Sequence, residues 1–308
     1  MAFQRTLDQE FIDALNQLHD LPASWWRKLV DSTDVFLAIR NNSINAYSYG
    51  MSIGKIRWNG SHIALEVHEE YLSLPSRVRY LDVLASGTSQ ARPVAHDEIG
   101  YIKNLDRIKK RAGRFAGEER KGTNKIACDV LTVIDMEAAY EPGRENEPNP
   151  ESQREVSDDR GRLDLVVLSG NLKLLAFEAK LFSNSELRAR GTPKVCDQLQ
   201  AYHATISDRH DELVQAYTRL VGTFASLRGS FFGKRLRHPS WAAALKGPAS
   251  LTMDPIPRLL IFDYDGLQES SLKATVTRIQ QHVSIPGFDL KHVKTLGKAA
   301  SVNENHLV

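Results

Sequence analysis

Arg162-Leu-Asp-Leu-Val-Val-Leu-Ser-Gly-Asn171, followed at once by Leu172-Lys-Leu-Leu-Ala-Phe-Glu-Ala-Lys-Leu-Phe182, reads as two buried β-strands joined by a tight turn. The apolar residues occupy both parities, as in strands covered on both faces, and Gly170-Asn171 supplies the turn signal. Charged groups do not belong in such strands by default. Asp164, Glu178 and Lys180 therefore carry a desolvation cost that mutual pairing or a bound cation must offset. Read blandly, the three form a buried ion pair on a sheet edge.

Strand geometry decides whether the three can meet. Side chains alternate faces, so Glu178 and Lys180 project to one side, and Ala179 between them points away with its carbonyl still available. A two-residue Gly170-Asn171 loop sets Asp164 opposite Phe177, on the wrong face. A three-residue loop corrects this: with 170–172 as the loop, Asp164 faces Glu178 directly, and with 169–171 it lies diagonal to it. An odd-length turn or a bulge is thus predicted.

Two other acid-x-Lys triplets, Glu119-Arg-Lys121 and Asp289-Leu-Lys291, lack this setting. Behind the motif strands comes a helix carrying Gln198-Leu-Gln-Ala-Tyr202, whose Gln and Tyr are four apart and share a helical face. With this set the chain resembles the PD-(D/E)XK superfamily of restriction-endonuclease-like nucleases, in the branch with a Gln-x-x-x-Tyr helix motif. The resemblance covers roughly residues 112–265, its specific part being 162–202, and it departs from the family name in having Leu163 where the proline stands. Tyr202 also fits an apolar helical stripe with Val195, Leu199 and Ile206.

The resemblance implies an α/β fold with an αβββαβ core, a central mixed sheet flanked by helices, and hydrolysis of phosphodiester bonds in DNA in the manner of restriction, defence or repair nucleases. Two carboxylates and a main-chain carbonyl are hard oxygen donors suited to Mg²⁺, with Mn²⁺ able to substitute. The implied metal donors are Asp164, Glu178 and the Ala179 carbonyl, with Lys180 orienting a water and neutralising charge on the phosphate. Gln198 and Tyr202 position the Lys180 region or a DNA phosphate. An acid from an early helix supports the site in the family, for which Glu118 or Glu119 is nearest, Glu119 being taken as a further metal ligand, while Glu137 competes for the role. Glu186 and Arg188 read as an exposed salt-bridging pair or as DNA contacts. Two other readings stand beside this one: the same fold acting on RNA or branched DNA, and a nucleic-acid-binding subunit with latent activity that awaits a partner.

Composition fits an ordinary cytoplasmic protein, with 308 residues, 42% hydrophobic and 25% charged. The first residues lack the apolar segment of a signal peptide, and no run reaches the roughly 18 apolar residues of a spanning helix. Cys128 and Cys196 stand alone, which leaves zinc knuckles and a disulfide framework unsupported. Net charge is +2, so nucleic-acid contact rests on local clusters. One comprises Lys103, Arg107, Lys109, Lys110, Arg111, Arg114, Arg120 and Lys121. The other interleaves Arg228, Lys234, Arg235, Arg237 and His238 with Phe231, Phe232 and Trp241, a mixture suited to phosphates and base stacking or to a loop anchored by buried rings. From these, Arg114, Arg188, Lys234, Arg235 and Arg237 are the candidate DNA contacts. Gly229-Ser-Phe-Phe-Gly-Lys234 is one residue short of a phosphate loop, and neither His68-Glu-Glu nor His210-Asp-Glu has the second histidine of a zinc helix.

The chain divides near residue 100. Residues 1–100 read as an α+β module: a helix through Leu7, Phe11 and Leu18, a second at Trp25-Trp26, then an antiparallel meander of strands at 35–40, 44–49, 52–58 and 61–68 with turns at Asn41-Asn42 and Asn59-Gly60. Recognition, dimerisation, contact with a partner protein and plain structural support are all open to it. Residues 101–295 form the nuclease-like domain: a helix at 103–121, a strand at 126–140, the two motif strands, helices over 194–227 broken at Ser207-Asp208, a strand at Pro257 and a helix from Leu272 to Val283. The polar segment from Glu141 to Asp159 is long for a connection and reads as disordered or as a functional loop. Residues 296–308 read as a frayed tail.

Overall fold

The computed structural model describes residues 3–72, 80–84, 98–140, 162–189, 191–299 and 302–307. The segment Glu141 to Asp159 lies outside them. In chain order the elements begin with α1 (Gln9–Asp20), α2 (Trp25–Asp31), β1 (Phe36–Arg40), β2 (Ser43–Ser48), β3 (Met51–Trp58), β4 (Ile63–His68), α3 (Glu69–Leu72), β5 (Tyr80–Leu84) and α4 (Glu98–Phe115). They continue with α5 (Glu118–Asp129), β6 (Val133–Ala139), β7 (Arg162–Leu168), β8 (Lys173–Leu181), α6 (Lys194–Asp208), α7 (His210–Ser226), α8 (Ser230–Leu236) and α9 (Pro239–Lys246). Last come β9 (Thr252–Met253), β10 (Arg258–Phe262), α10 (Glu269–His282) and β11 (Val293–Leu296). The fold is mixed α/β, with one antiparallel sheet and one mixed sheet flanked by helices. Among the described residues no helix is long and apolar enough to cross a membrane.

Contacts divide the chain into two compact units, one of Gln4–Asn124 and Ala216–Leu245, the other of Met1–Phe3, Lys125–Gln215 and Lys246–Val308. A boundary near residue 100 does not describe this division, because a later segment returns to the first unit. There Phe231 packs edge-on against Phe36 at 5.4 Å and Phe232 lies 6.3 Å from Trp26. Gly229, at φ 117°, enters α8 so close to Val30 that a Cβ would stand 2.0 Å from its Cγ1, so only glycine fits. The same unit holds the meander, in the order β1-β2-β3-β4-β5 with antiparallel pairing throughout. Strand β4 alternates buried Ile63, Leu65 and Val67 with half-buried neighbours, as a one-sided sheet requires.

The second unit holds the mixed sheet, in the order β11-β10-β8-β7-β6 with β9 beside β8. Strands β6, β7 and β8 are antiparallel, and β8, β10 and β11 are parallel. Seven consecutive residues of β8 are buried, matching its apolar run on both parities. Leu259 and Ile261 of β10 pair with Glu178 and Lys180 and so share their face. That face is covered by Val195 and Leu199 of α6 and by Leu272 and Ile279 of α10.

Three expectations need correction. The predicted helix at 103–121 is two helices, α4 and α5, parted at Gly117, whose carbonyl accepts from Lys121 as α5 begins. Residues 126–129 are helical rather than strand: Ile126, Ala127 and Val130 are buried at helical spacing, and β6 begins only at Val133. The terminal residues are not frayed where described, since Asn303 and His306 cap a short turn and Leu307 is fully buried.

Candidate active site

The β7–β8 turn brings the site together. Its ladder runs from Leu168↔Leu174 to Leu165↔Phe177, which leaves 170–172 as a three-residue loop beyond the Ser169–Lys173 bond. Leu172 donates to the Ser169 carbonyl at 3.1 Å and takes the left-handed conformation, φ 61°, in the hairpin geometry that three residues favour. Continuing the register by one residue sets Asp164 opposite Glu178. The ladder itself ends just before that pair. Here the Ala179 amide donates to Asp164 Oδ2 at 2.7 Å. In a strand the N–H and C=O of one residue point the same way, so the Ala179 carbonyl also faces the β7 side.

Glu178 is 3% exposed and Lys180 6%, and the Lys180 ammonium lies 2.7 Å from Glu178 Oε1. A second carboxylate reaches the same ammonium: Glu186 Oε2, also at 2.7 Å. Glu186 sits in a short 3₁₀ turn, Ser185–Leu187, where the Asn184 side chain accepts from its amide. Glu186 and Arg188 are thus not a pair. Arg188 donates to the Phe182 carbonyl at 2.9 Å and lies 4.7 Å over the Phe182 ring.

Burial pushes the Asp164 carboxyl well above the usual carboxylate range, and the Glu178 charge pushes it further. Lys180 opposes both, Glu137 adds to the rise, and the Ala179 hydrogen bond pulls it down. Acids crowded so as to raise one another's pKa gather at functional sites, and structural ion-pair networks shift pKa values too. The donors that fit a hard divalent ion are the Asp164 and Glu178 carboxylates and the Ala179 carbonyl. Among the described residues no three His, Cys, Asp or Glu side chains are grouped so as to hold a metal by themselves.

Glu137, rather than Glu118 or Glu119, is the further acid acting on Asp164. It stands in β6 between the pairs Met136↔Leu165 and Ala138↔Leu163, which places it across from Asp164. Its φ of 53° is costly for a non-glycine residue, and such strain gathers at functional sites. Glu118 pairs instead with Lys121 at 2.7 Å, and Glu119 lies in the first turn of α5, in the other compact unit.

On α6, Tyr202 is buried and donates its hydroxyl to the Arg162 carbonyl, pinning the helix to the start of β7. Arg162 reaches back to Glu137 at 4.0 Å. Gln198, one turn earlier, has a buried Oε1 with no hydrogen-bond partner among the described residues. An unsatisfied buried acceptor costs free energy unless a ligand or reorientation meets it.

The charge clusters fare unevenly. Arg235 is 3% exposed, 3.8 Å over Phe231 and 5.2 Å over Phe36, so it is a packing residue and no DNA contact. Phe231, Phe232 and Trp241 are buried with it and offer no stacking surface. Lys234 and Arg237 remain exposed, as does Arg114 in the last turn of α4. Lys109 is buried against Asp34 at 2.8 Å. Arg107 and Lys110 are exposed, and like charges from Arg107 and Arg114, second to burial, depress the Arg111 pKa.

Sequence reasoning missed the Glu186–Lys180 contact and the strained placement of Glu137. Asn184 two residues before Glu186 was a legible cap signal, but nothing local said where the turn folds. No family model, curated protein or solved structure matches this chain.

Proposed function

We propose that the chain is a divalent-metal-dependent nuclease with a restriction-endonuclease-like core, hydrolysing phosphodiester bonds in DNA. The observation that carries this reading is the convergence of Asp164, Glu178 and Lys180 on one face, where the β7–β8 ladder gives way to the Asp164–Ala179 bond. The run α5-β6-β7-β8-α6, followed after α7, α8, α9 and β9 by β10, with three antiparallel strands and then a parallel one, supports the same family.

Asp164, Glu178 and the Ala179 carbonyl would hold Mg²⁺ or Mn²⁺, which supplies charge neutralisation of the phosphate and a water of lowered pKa. The residues themselves do the rest. The Ala179 amide fixes which Asp164 oxygen is engaged and leaves the other directed elsewhere. Lys180 holds a positive charge within a buried strand, where it acts on developing phosphate charge far more strongly than in water. Tyr202 fixes α6 against β7 and so sets the position of Gln198, whose amide is suited to a substrate phosphate or to the Lys180 region.

The test is cleavage of supercoiled, linear and single-stranded DNA and of RNA with Mg²⁺ or Mn²⁺, wild type against Asp164→Ala. Metal-dependent cutting that the variant lacks supports the reading, and the preferred substrate identifies the nucleic acid. Absence of cutting, with DNA binding retained, replaces it with the partner-dependent binding subunit.

A further inference from the structure

Lys180 is held between two carboxylates that are not equivalent. Glu178 belongs to the strand and is one of the proposed metal donors, whereas Glu186 arrives from outside the sheet on a turn with its own anchors. Asn184 caps that turn through the Glu186 amide, at 2.9 Å, and the Asn184 amide donates to the Leu181 carbonyl at 2.9 Å. Leu187 is fully buried in the core shared by β10, α6 and α10, and its carbonyl accepts from Arg278 at 2.6 Å. Arg188 ties down the far end on Phe182. A side chain on an exposed loop would not be held so; Glu186 is aimed.

The need for a second carboxylate follows from what the first must do. A carboxylate that binds a divalent ion gives its charge to that ion, and a buried ammonium beside it then faces a like charge with little compensation. Such a lysine swings away unless another anion keeps it. We infer that Glu186 is a positioning residue that holds the Lys180 ammonium in place when Glu178 engages metal. This rests on the nuclease reading for its catalytic consequence, but the holding of Lys180 can be read without it.

Glu186→Gln keeps the shape and removes the charge, Glu186→Asp restores the charge at shorter reach, and Asn184→Ala loosens the turn without touching either ion. Cleavage kinetics are measured with saturating Mg²⁺, together with the Lys180 ammonium signal in spectra of chain labelled with ¹⁵N-lysine, assigned by Lys180→Arg. The expected result is a kcat lower by about ten- to a hundredfold in Glu186→Gln with KM within about twofold, partial recovery in Glu186→Asp and an intermediate value in Asn184→Ala. The ammonium signal should persist with Mg²⁺ in wild type and disappear in Glu186→Gln. Unchanged kcat in Glu186→Gln overturns the inference. If wild type cuts nothing, the nuclease reading falls separately and the spectra decide: a signal that depends on Glu186 upholds the holding role, and one indifferent to it overturns it.

Discussion

Two of the buried cations, Lys180 and Arg235, have surroundings that differ in kind. Lys180 lies between two carboxylates, each 2.7 Å from its ammonium, in a strand whose other neighbours are apolar. Arg235 lies over the rings of Phe231 and Phe36, with its Nη1 directed at the Phe231 carbonyl at 3.4 Å. Rings and a carbonyl are what a guanidinium uses to cover its apolar stem and satisfy its donors, and the result is packing. Carboxylates crowded about a buried lysine carry a desolvation cost that their pairing offsets only with good geometry, which is the electrostatic setting the proposed site rests on. Burial of a charge alone therefore does not mark function; the chemistry of what surrounds it does.

The contrast between the two cations breaks most visibly if Lys180 is replaced. Lys180→Met should lower metal-dependent cleavage by at least about a hundredfold, since removing one preorganised charge-stabilising group costs about that much, and should also cost about 3–5 kcal/mol of stability because Glu178 and Glu186 lose their counter-charge; urea unfolding beside the cleavage assay checks both halves. Arg235→Met should affect stability alone, lowering it by about 1–2 kcal/mol because the guanidinium no longer packs on its rings, with kcat unchanged, as read by urea midpoints. A smaller effect belongs to the exposed cations of α4. Changing Arg107, Lys110 and Arg114 to Ala should weaken DNA binding alike on all sequences and reduce the salt slope by about one for each phosphate no longer neutralised, measured by titration at several salt concentrations.

The smallest effect concerns the joint between α2 and α8 within the first unit. Burial raises the Asp31 carboxyl, but hydrogen bonds from Ser230, with help from His19 and Arg27, outweigh it and leave the folded value below the usual one. A depressed acid stabilises the fold above its unfolded pKa and loses that contribution as pH falls through the folded value. Wild type should thus lose a small increment of stability below about pH 4 that Asp31→Asn does not lose, as acid unfolding curves would show.

Much of the second unit was legible because its strands obey strict parity. Requiring Asp164, Glu178 and Lys180 to share a face predicted an odd turn, and the loop at 170–172 is that turn. The helix break came from Ser207-Asp208 and falls at Arg209. Other features lie beyond local pattern. Ile126-Ala-Cys-Asp129 runs into Val130 without a stop signal, so the end of α5 is hidden in one apolar stretch. The return of Phe231 and Phe232 to the first unit is a long-range packing choice, and rings among cations look the same whether they face solvent or core. Glu137 owes its place across from Asp164 to the pairing of β6 with β7 and to a left-handed backbone, neither visible in its neighbours.

The most direct measurement of the central claim is nicking of supercoiled plasmid with Mg²⁺ by wild type, Lys180→Met and Arg235→Met, each assayed well below its unfolding temperature. The account predicts cutting by wild type and Arg235→Met and none by Lys180→Met. Equal cutting by Lys180→Met and wild type would contradict it, and would return the strand-borne lysine to the role of a buried ion pair.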